Sequence, residues 1–249
     1  MDKYHIYEEV GTGKHSQVFK GRERMNIEYV AIKRVEKCMM HQVVNEVQVI
    51  HRLNSPNVLK FHDWYETRNN VWLILEFCTG GDLLTLLEQD RREPESAVRL
   101  FGVDLLAGLQ QAHASGFVHG NLRPSNVLID EYGILKLSGF GLARSVANNG
   151  DGRDANRRDP AYMAPELFSE GAEALSFASD FWSLGCILFE LFTGEPPFGK
   201  SSLPSVVERV QLEVSLWSWR GVRMSLEFGS LVGSLLNKDP HKRPTWPQL

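Results

Sequence analysis

The sequence predicts an α+β protein of two lobes facing a cleft, on three observations. Its first third is a series of short alternating segments rich in β-branched and aromatic residues. The remainder carries longer stretches of helical periodicity. The two regimes meet at a break, Thr79-Gly80-Gly81. The expected lobes are residues 1–78 and 79–249, and together they form one domain.

In chain order, strands are expected over 4–10, 17–21, 29–35 and 71–77 in a mostly antiparallel sheet. A single helix over 41–53 interrupts them, because Val43, Val44, Val47, Ile50 and His51 recur at helical spacing before an Asn-Ser-Pro-Asn turn. Past the break, 94–115 places Val98, Phe101, Leu105, Leu109 and Ala112 on one helical face, with Gly116 as the stop. Another helix is expected over 176–193. The stretch 146–158, rich in Asn, Gly, Asp and Arg, reads as a mobile surface loop. The sequence stops in mid-pattern without a closing apolar helix, so a segment of a longer protein is expected.

A net charge of -4 gives no overall basic field, which argues against a nucleic-acid partner. The longest apolar run, 181–192, is too short to cross a bilayer, and the N-terminus carries no secretory pattern. Cys38, Cys78 and Cys186 are widely spaced and lie within apolar stretches. They fit neither a disulfide framework nor a zinc motif, and buried reduced thiols are expected. An intracellular, cytoplasmic domain follows.

Gly11-Thr12-Gly13-Lys14-His15-Ser16-Gln17-Val18 lies between two expected strands, where glycines let the backbone fold closely over phosphates. Alone it is more often only a turn. Val30-Ala31-Ile32-Lys33 follows on the next strand, with Glu46 on the next helix, facing the lysine. Further on come His119-Gly120-Asn121-Leu122-Arg123-Pro124-Ser125-Asn126, Ser138-Gly139-Phe140-Gly141, Ala164-Pro165-Glu166, Asp180-Phe181-Trp182-Ser183-Leu184-Gly185 and Asp239-Pro240-His241-Lys242-Arg243-Pro244. In this order and over essentially its whole length the sequence resembles the serine/threonine protein kinases. Trp64-Tyr65-Glu66-Thr67 and Cys78-Thr79-Gly80-Gly81-Asp82 look most like the Fused and Runkel (Unc-51-like) branch.

The resemblance implies an ATP site. Val10, Gly11, Gly13 and Lys14 would cover the nucleotide, and Lys33, paired to Glu46, would contact its α and β phosphates. The backbone from Glu76 to Cys78 would bond the adenine edge. Val18, Ala31 and Leu128 would sandwich the ring with Leu75 behind it, and Arg123 and Asn126 would line the phosphate end. Ile50, Phe61, Phe140 and His119, anchored at Asp180, match the spine that ties the lobes, and Glu166 with Arg243 matches a buried ion pair.

Two positions depart decisively from the family pattern. The general base should be an aspartate at position 121, where Asn121 is an amide of no usable basicity. The magnesium ligand should be an aspartate at position 139, where Gly139 has no side chain. Gly120, Arg123 and Asp159 are further departures. The expectation is a pseudokinase that holds ATP without magnesium and acts as a scaffold or allosteric regulator through a protein partner. Branch membership adds a setting near microtubules, cilia or the division apparatus. Two other readings remain: a divergent kinase using a substitute carboxylate, Asp130 or Asp159, and an interaction domain that binds no nucleotide.

Overall fold

The structure is a computed structural model that describes residues 2–146, 158–168, 175–200, 203–212 and 224–249. The loop expected over 146–158 falls, but for its two ends, outside the described residues.

The N-terminal lobe is a five-stranded antiparallel sheet formed by β1 (Tyr4–Gly13), β2 (Ser16–Glu23), β3 (Tyr29–Glu36), β4 (Phe61–Glu66) and β5 (Asn70–Glu76), in the order β1-β2-β3-β5-β4. Four of these strands are the expected ones, and β4 is an addition. Its register with β5 is irregular between Phe61 and Asp63, and only one of its faces is partly covered. Burial alternates along it, but the half-buried face carries Asp63 and the exposed face Trp64, so the apolar/polar alternation by which a strand is recognised is lost.

Register determines what faces the cleft. Val18 lies opposite Lys33, Lys33 opposite Leu73, and Ala31 opposite Leu75. Direct cross-strand partners share a face and alternate residues along a strand share a face, so these five side chains line one side of the sheet. α1 (Met40–Ile50) packs on that side through Val43, Val47 and Glu46, while Val49 and Ile50 join the core of the other lobe. It ends three residues before the expected boundary. The opposite face buries Ile32 and Ile74 with Tyr4 and Val30.

The C-terminal lobe opens with α2 (Leu83–Asp90), which is capped by the Asp82 carboxylate accepting from Thr85 N. α3 (Glu95–Ala114) buries Val98, Leu105, Leu109 and Ala112 as its periodicity requires. It stops where Gly116 takes φ 79°, a left-handed conformation natural to glycine. Two short antiparallel pairs follow: β6 (Phe117–Val118) with β9 (Arg144–Ser145), and β7 (Val127–Ile129) with β8 (Leu135–Leu137).

α4 (Phe177–Thr193) is buried continuously from Ser179 to Phe192 and forms the axis of the core. It starts at a Ser176/Ser179 capping box and ends at Gly194. α5 (Leu203–Leu212) and α6 (Leu226–Leu235) complete the lobe. No helix among the described residues is long and apolar enough to cross a membrane.

Cys186 is buried in α4 and Cys78 is half-buried. Cys38 is exposed, against the expectation of burial. It sits in a single 3-10 turn, Lys37–Met39, which buries no residue.

Candidate functional site

Between the lobes lies a cavity of about 520 Å³, a volume suited to a small organic ligand. Val10, Gly11, Gly13 and Val18 line its roof, Ala31, Lys33, Glu46 and Leu75 its back, and Glu76 and Cys78 its edge. Arg123, Asn126, Leu128 and Gly139 line its floor. Of the residues expected at a nucleotide site, Lys14 alone lies elsewhere. It belongs to a separate depression with His15, Arg34 and Glu36, because the hairpin turn carries its side chain to the other side of the roof. The lining also includes Leu59 and Thr85, for which the sequence reading gave no signal.

At the back, Lys33 Nζ donates to both Glu46 oxygens, at 3.1 and 2.9 Å. β3 and α1 bring the two together over a separation of 13 residues, and Glu46 is nearly inaccessible. Asn45, the preceding residue on α1, places Nδ2 2.9 to 3.3 Å from the carbonyls of Phe140, Gly141 and Ala143, which lie just after Gly139. The sequence reading missed this link, since Asn45 belongs to no recognisable motif.

At the edge, Glu76 has both carboxylate oxygens engaged. Its Oε1 lies 3.0 Å from Lys136 Nζ, and its Oε2 accepts from Lys60 N. Burial pulls the Lys136 ammonium toward neutrality, but the hydrogen bond and charge of Glu76, with Asp130 in support, outweigh it, and the pKa is raised. Burial, reinforced by Glu76, pushes the Cys78 thiol up to about 12, so it is not an activated nucleophile.

The floor is anchored from below by Asp180. Its carboxylate accepts from His119 N and Gly120 N, each at 2.8 Å, and lies 2.8 Å from His113 Nε2. Burial works to raise its pKa, but His113, His119 and the backbone donor prevail and hold it below the usual range. Burial in turn lowers the pKa of His119, with Asp180 opposing. The His119 ring contacts Phe140 at 4.5 Å, and Ile50 and Phe61 join the same apolar cluster.

Gly139 takes φ 75° and ψ 35°. A β-carbon added there would come within 2.6 Å of the Asn126 amide carbon, so the Asn126 side chain packs into the space a side chain at 139 would use. Asn126 Nδ2 also donates to Asn121 O at 2.8 Å. Asn121 does not line the cavity. It borders a small niche beside it, with Arg123 and Asp159.

Neither candidate carboxylate reaches the cavity. Asp130 Oδ1 accepts from Tyr132 N and Ile134 N while Oδ2 faces Lys136. Asp159 caps the turn Pro160–Tyr162 and lies 3.6 Å from Arg123. The acidic residues that do line the cavity are Glu46, Glu76 and Asp82. Lys33, Lys136 and Thr85 respectively engage them.

Comparison with known proteins agrees with this geometry. The model of the protein kinase domain matches residues 4–249. The chain is 44% identical over 250 residues to serine/threonine-protein kinase RUNKEL of Arabidopsis thaliana, covering 100% of the chain and 18% of that protein. It is 38% identical over 273 residues to serine/threonine-protein kinase ULK4 of Mus musculus, covering 99% of the chain and 21% of that protein. To serine/threonine-protein kinase 36 of Pongo abelii it is 32% identical over 254 residues, covering 100% and 19%. The chain thus spans about a fifth of the length of these relatives. With the Lys33–Glu46 pair, the Asp180 anchor and the two-lobed fold in place, the chain belongs to the protein kinase domain family, in the branch that includes the Runkel and Unc-51-like proteins.

Proposed function

We propose that this domain, with lobes 1–78 and 79–249, is a pseudokinase that binds ATP without magnesium and acts as a scaffold or allosteric regulator for a protein partner. The observation that carries the proposal is the floor of the cleft. Gly139 offers no carboxylate, and the Asn126 amide packs against it and donates to Asn121 O. A magnesium ion at a kinase site is held by at least one carboxylate besides the phosphates. The three acidic side chains among the described lining residues are each engaged by a neighbour, Glu46 by Lys33, Glu76 by Lys136 and Asp82 by Thr85.

Catalysis fails at a second point. A positioned base contributes about 10² to 10⁴ in rate, and the Asn121 amide cannot accept the hydroxyl proton. Binding survives these losses. Lys33 remains to meet phosphate, the apolar walls remain to hold a ring, and fewer carboxylates repel an anion. Nucleotide would then favour one lobe arrangement by mass action and so shape the surface a partner recognises. Branch membership supports a cytoplasmic setting close to the cytoskeleton or cilia.

The test is thermal unfolding with ATP, in magnesium and in excess chelator, for the wild type and Lys33→Met. ATP at a hundredfold over Kd stabilises by about 2.7 kcal/mol. A rise in Tm of that order is expected in chelator, and its loss is expected in Lys33→Met. A rise that requires magnesium would favour a divergent kinase, and no rise in either condition would favour an interaction domain without nucleotide.

A further inference from the structure

Outside the cleft, a second group of chemistry-bearing side chains converges on the back of the roof. His15 occupies the two-residue turn between β1 and β2, and its carbonyl accepts from Glu36 N at 3.1 Å. This bond extends the β2–β3 ladder one step past Ser16 and Val35, so His15 and Glu36 are cross-strand neighbours. Their side chains meet, with His15 Nδ1 3.1 Å from Glu36 Oε2. The chain then reverses through the 3-10 turn Lys37–Met39, which brings Cys38 Sγ to 3.5 Å from the same oxygen. All three donor atoms lie within 4.8 Å of one another.

We propose that His15, Glu36 and Cys38 form a site for zinc or a similar borderline divalent transition metal, tying the tip of the glycine-rich hairpin to the connection between β3 and α1.

The donor set selects the class of ion. Imidazole nitrogen, carboxylate oxygen and thiolate sulfur are the ligands zinc takes, whereas a thiolate is a poor partner for magnesium or calcium. Geometry agrees. Bonds of roughly 2.0 to 2.3 Å place the ligands of a tetrahedral zinc about 3.3 to 3.6 Å apart. The separations of 3.1 and 3.5 Å are already close to that, and the third, at most 4.8 Å, requires a modest contraction.

Binding releases the Cys38 thiol proton to solvent, and the sulfur's electron pair forms the metal bond. Thiolate and carboxylate together then offset the ion's two charges. Lys14 and Arg34 line the adjoining depression, and Arg34 is committed to Gln17 Oε1 and to the faces of Phe19 and Trp72. His15 is partly accessible and Glu36 and Cys38 are exposed, so water can reach the fourth position. Sequence spacing conceals such a site, because its ligands come from a turn, a strand end and a 3-10 turn. It requires no nucleotide in the cleft.

Cobalt is the probe, because a cobalt–thiolate bond gives a charge-transfer absorption in the near ultraviolet. Added to the reduced, metal-stripped chain, one equivalent of cobalt is expected to produce this band, and zinc to abolish it while excess magnesium does not. Cys38→Ser is expected to abolish the band. His15→Ala and Glu36→Gln are each expected to weaken zinc binding at least about tenfold, since loss even of an outer-shell partner costs a metal site that much. These are surface changes, and metal-free thermal unfolding checks that each variant is folded. Absence of the band overturns the proposal. So does a band and zinc affinity unchanged in both His15→Ala and Glu36→Gln, which would reveal a lone thiol binding metal adventitiously.

Discussion

On the proposed reading, Gly139 sets the chemistry of the cleft through what it lacks. A carboxylate at this position would bring both a negative charge and a hard-cation ligand to the phosphate end, and its absence removes the two together. Returning it should reverse both effects. In Gly139→Asp the new β-carbon would press on the Asn126 amide at 2.6 Å, and the amide, the far end of a side chain, must rotate aside. The left-handed backbone at φ 75° adds a cost of about 1 kcal/mol, since aspartate visits that region only with penalty. On the proposed reading, the Tm rise given by ATP should shrink in chelator and grow in magnesium. Phosphotransfer should stay absent, because Asn121 still supplies no base. Thermal unfolding in the two conditions and a radiolabelled phosphate assay check this. An unaltered response to magnesium would count against Gly139 as the determinant of metal independence.

Among the elements, the turn Pro165–Leu167 and the segment after α6 are fastened by one ion pair. Arg243 donates to both Glu166 oxygens, at 2.7 and 2.8 Å, and also to the carbonyls of Asn237 and Ala178. Neither side chain is appreciably exposed. Removing one partner leaves a buried charge alone, so Arg243→Met should destabilise by about 3 to 5 kcal/mol. The double variant Glu166→Gln/Arg243→Met should recover part of that loss, and urea unfolding measures both. No recovery would mean that the lost carbonyl bonds dominate over the stranded carboxylate. This pair was legible in the sequence, as were Lys33 with Glu46 and the Asp180 anchor, because each belongs to a motif of fixed residue types. Elements without such markers were not. β4 is disguised by Asp63 on its half-buried face and Trp64 on its exposed one, and α2 by its length of only eight residues. The side of the roof on which Lys14 falls depends on the twist of a hairpin turn, which no periodicity records.

At the scale of the whole molecule, the two lobes are coupled through α1. This helix carries Glu46 to Lys33 on the sheet, and one residue earlier Asn45 reaches the backbone of Phe140, Gly141 and Ala143 in the other lobe. An amide with two hydrogens shared among three carbonyls holds a half-buried junction together, and its loss leaves acceptors to be rehydrated. Asn45→Ala should therefore cost about 1 to 3 kcal/mol, the usual penalty for unsatisfied buried polar groups. The effect should be local. Amides of α1 and of 140–143 should exchange faster with deuterium, whereas α4, buried from Ser179 to Phe192, should be unchanged. Because α1 also positions Glu46, the stabilisation given by ATP should fall alongside. Faster exchange confined to 140–143, with α1 and the ATP response intact, would mean that the lobes communicate by another route. Coordinated loosening would establish Asn45 as the hinge pin through which occupancy of the cleft is felt in both lobes.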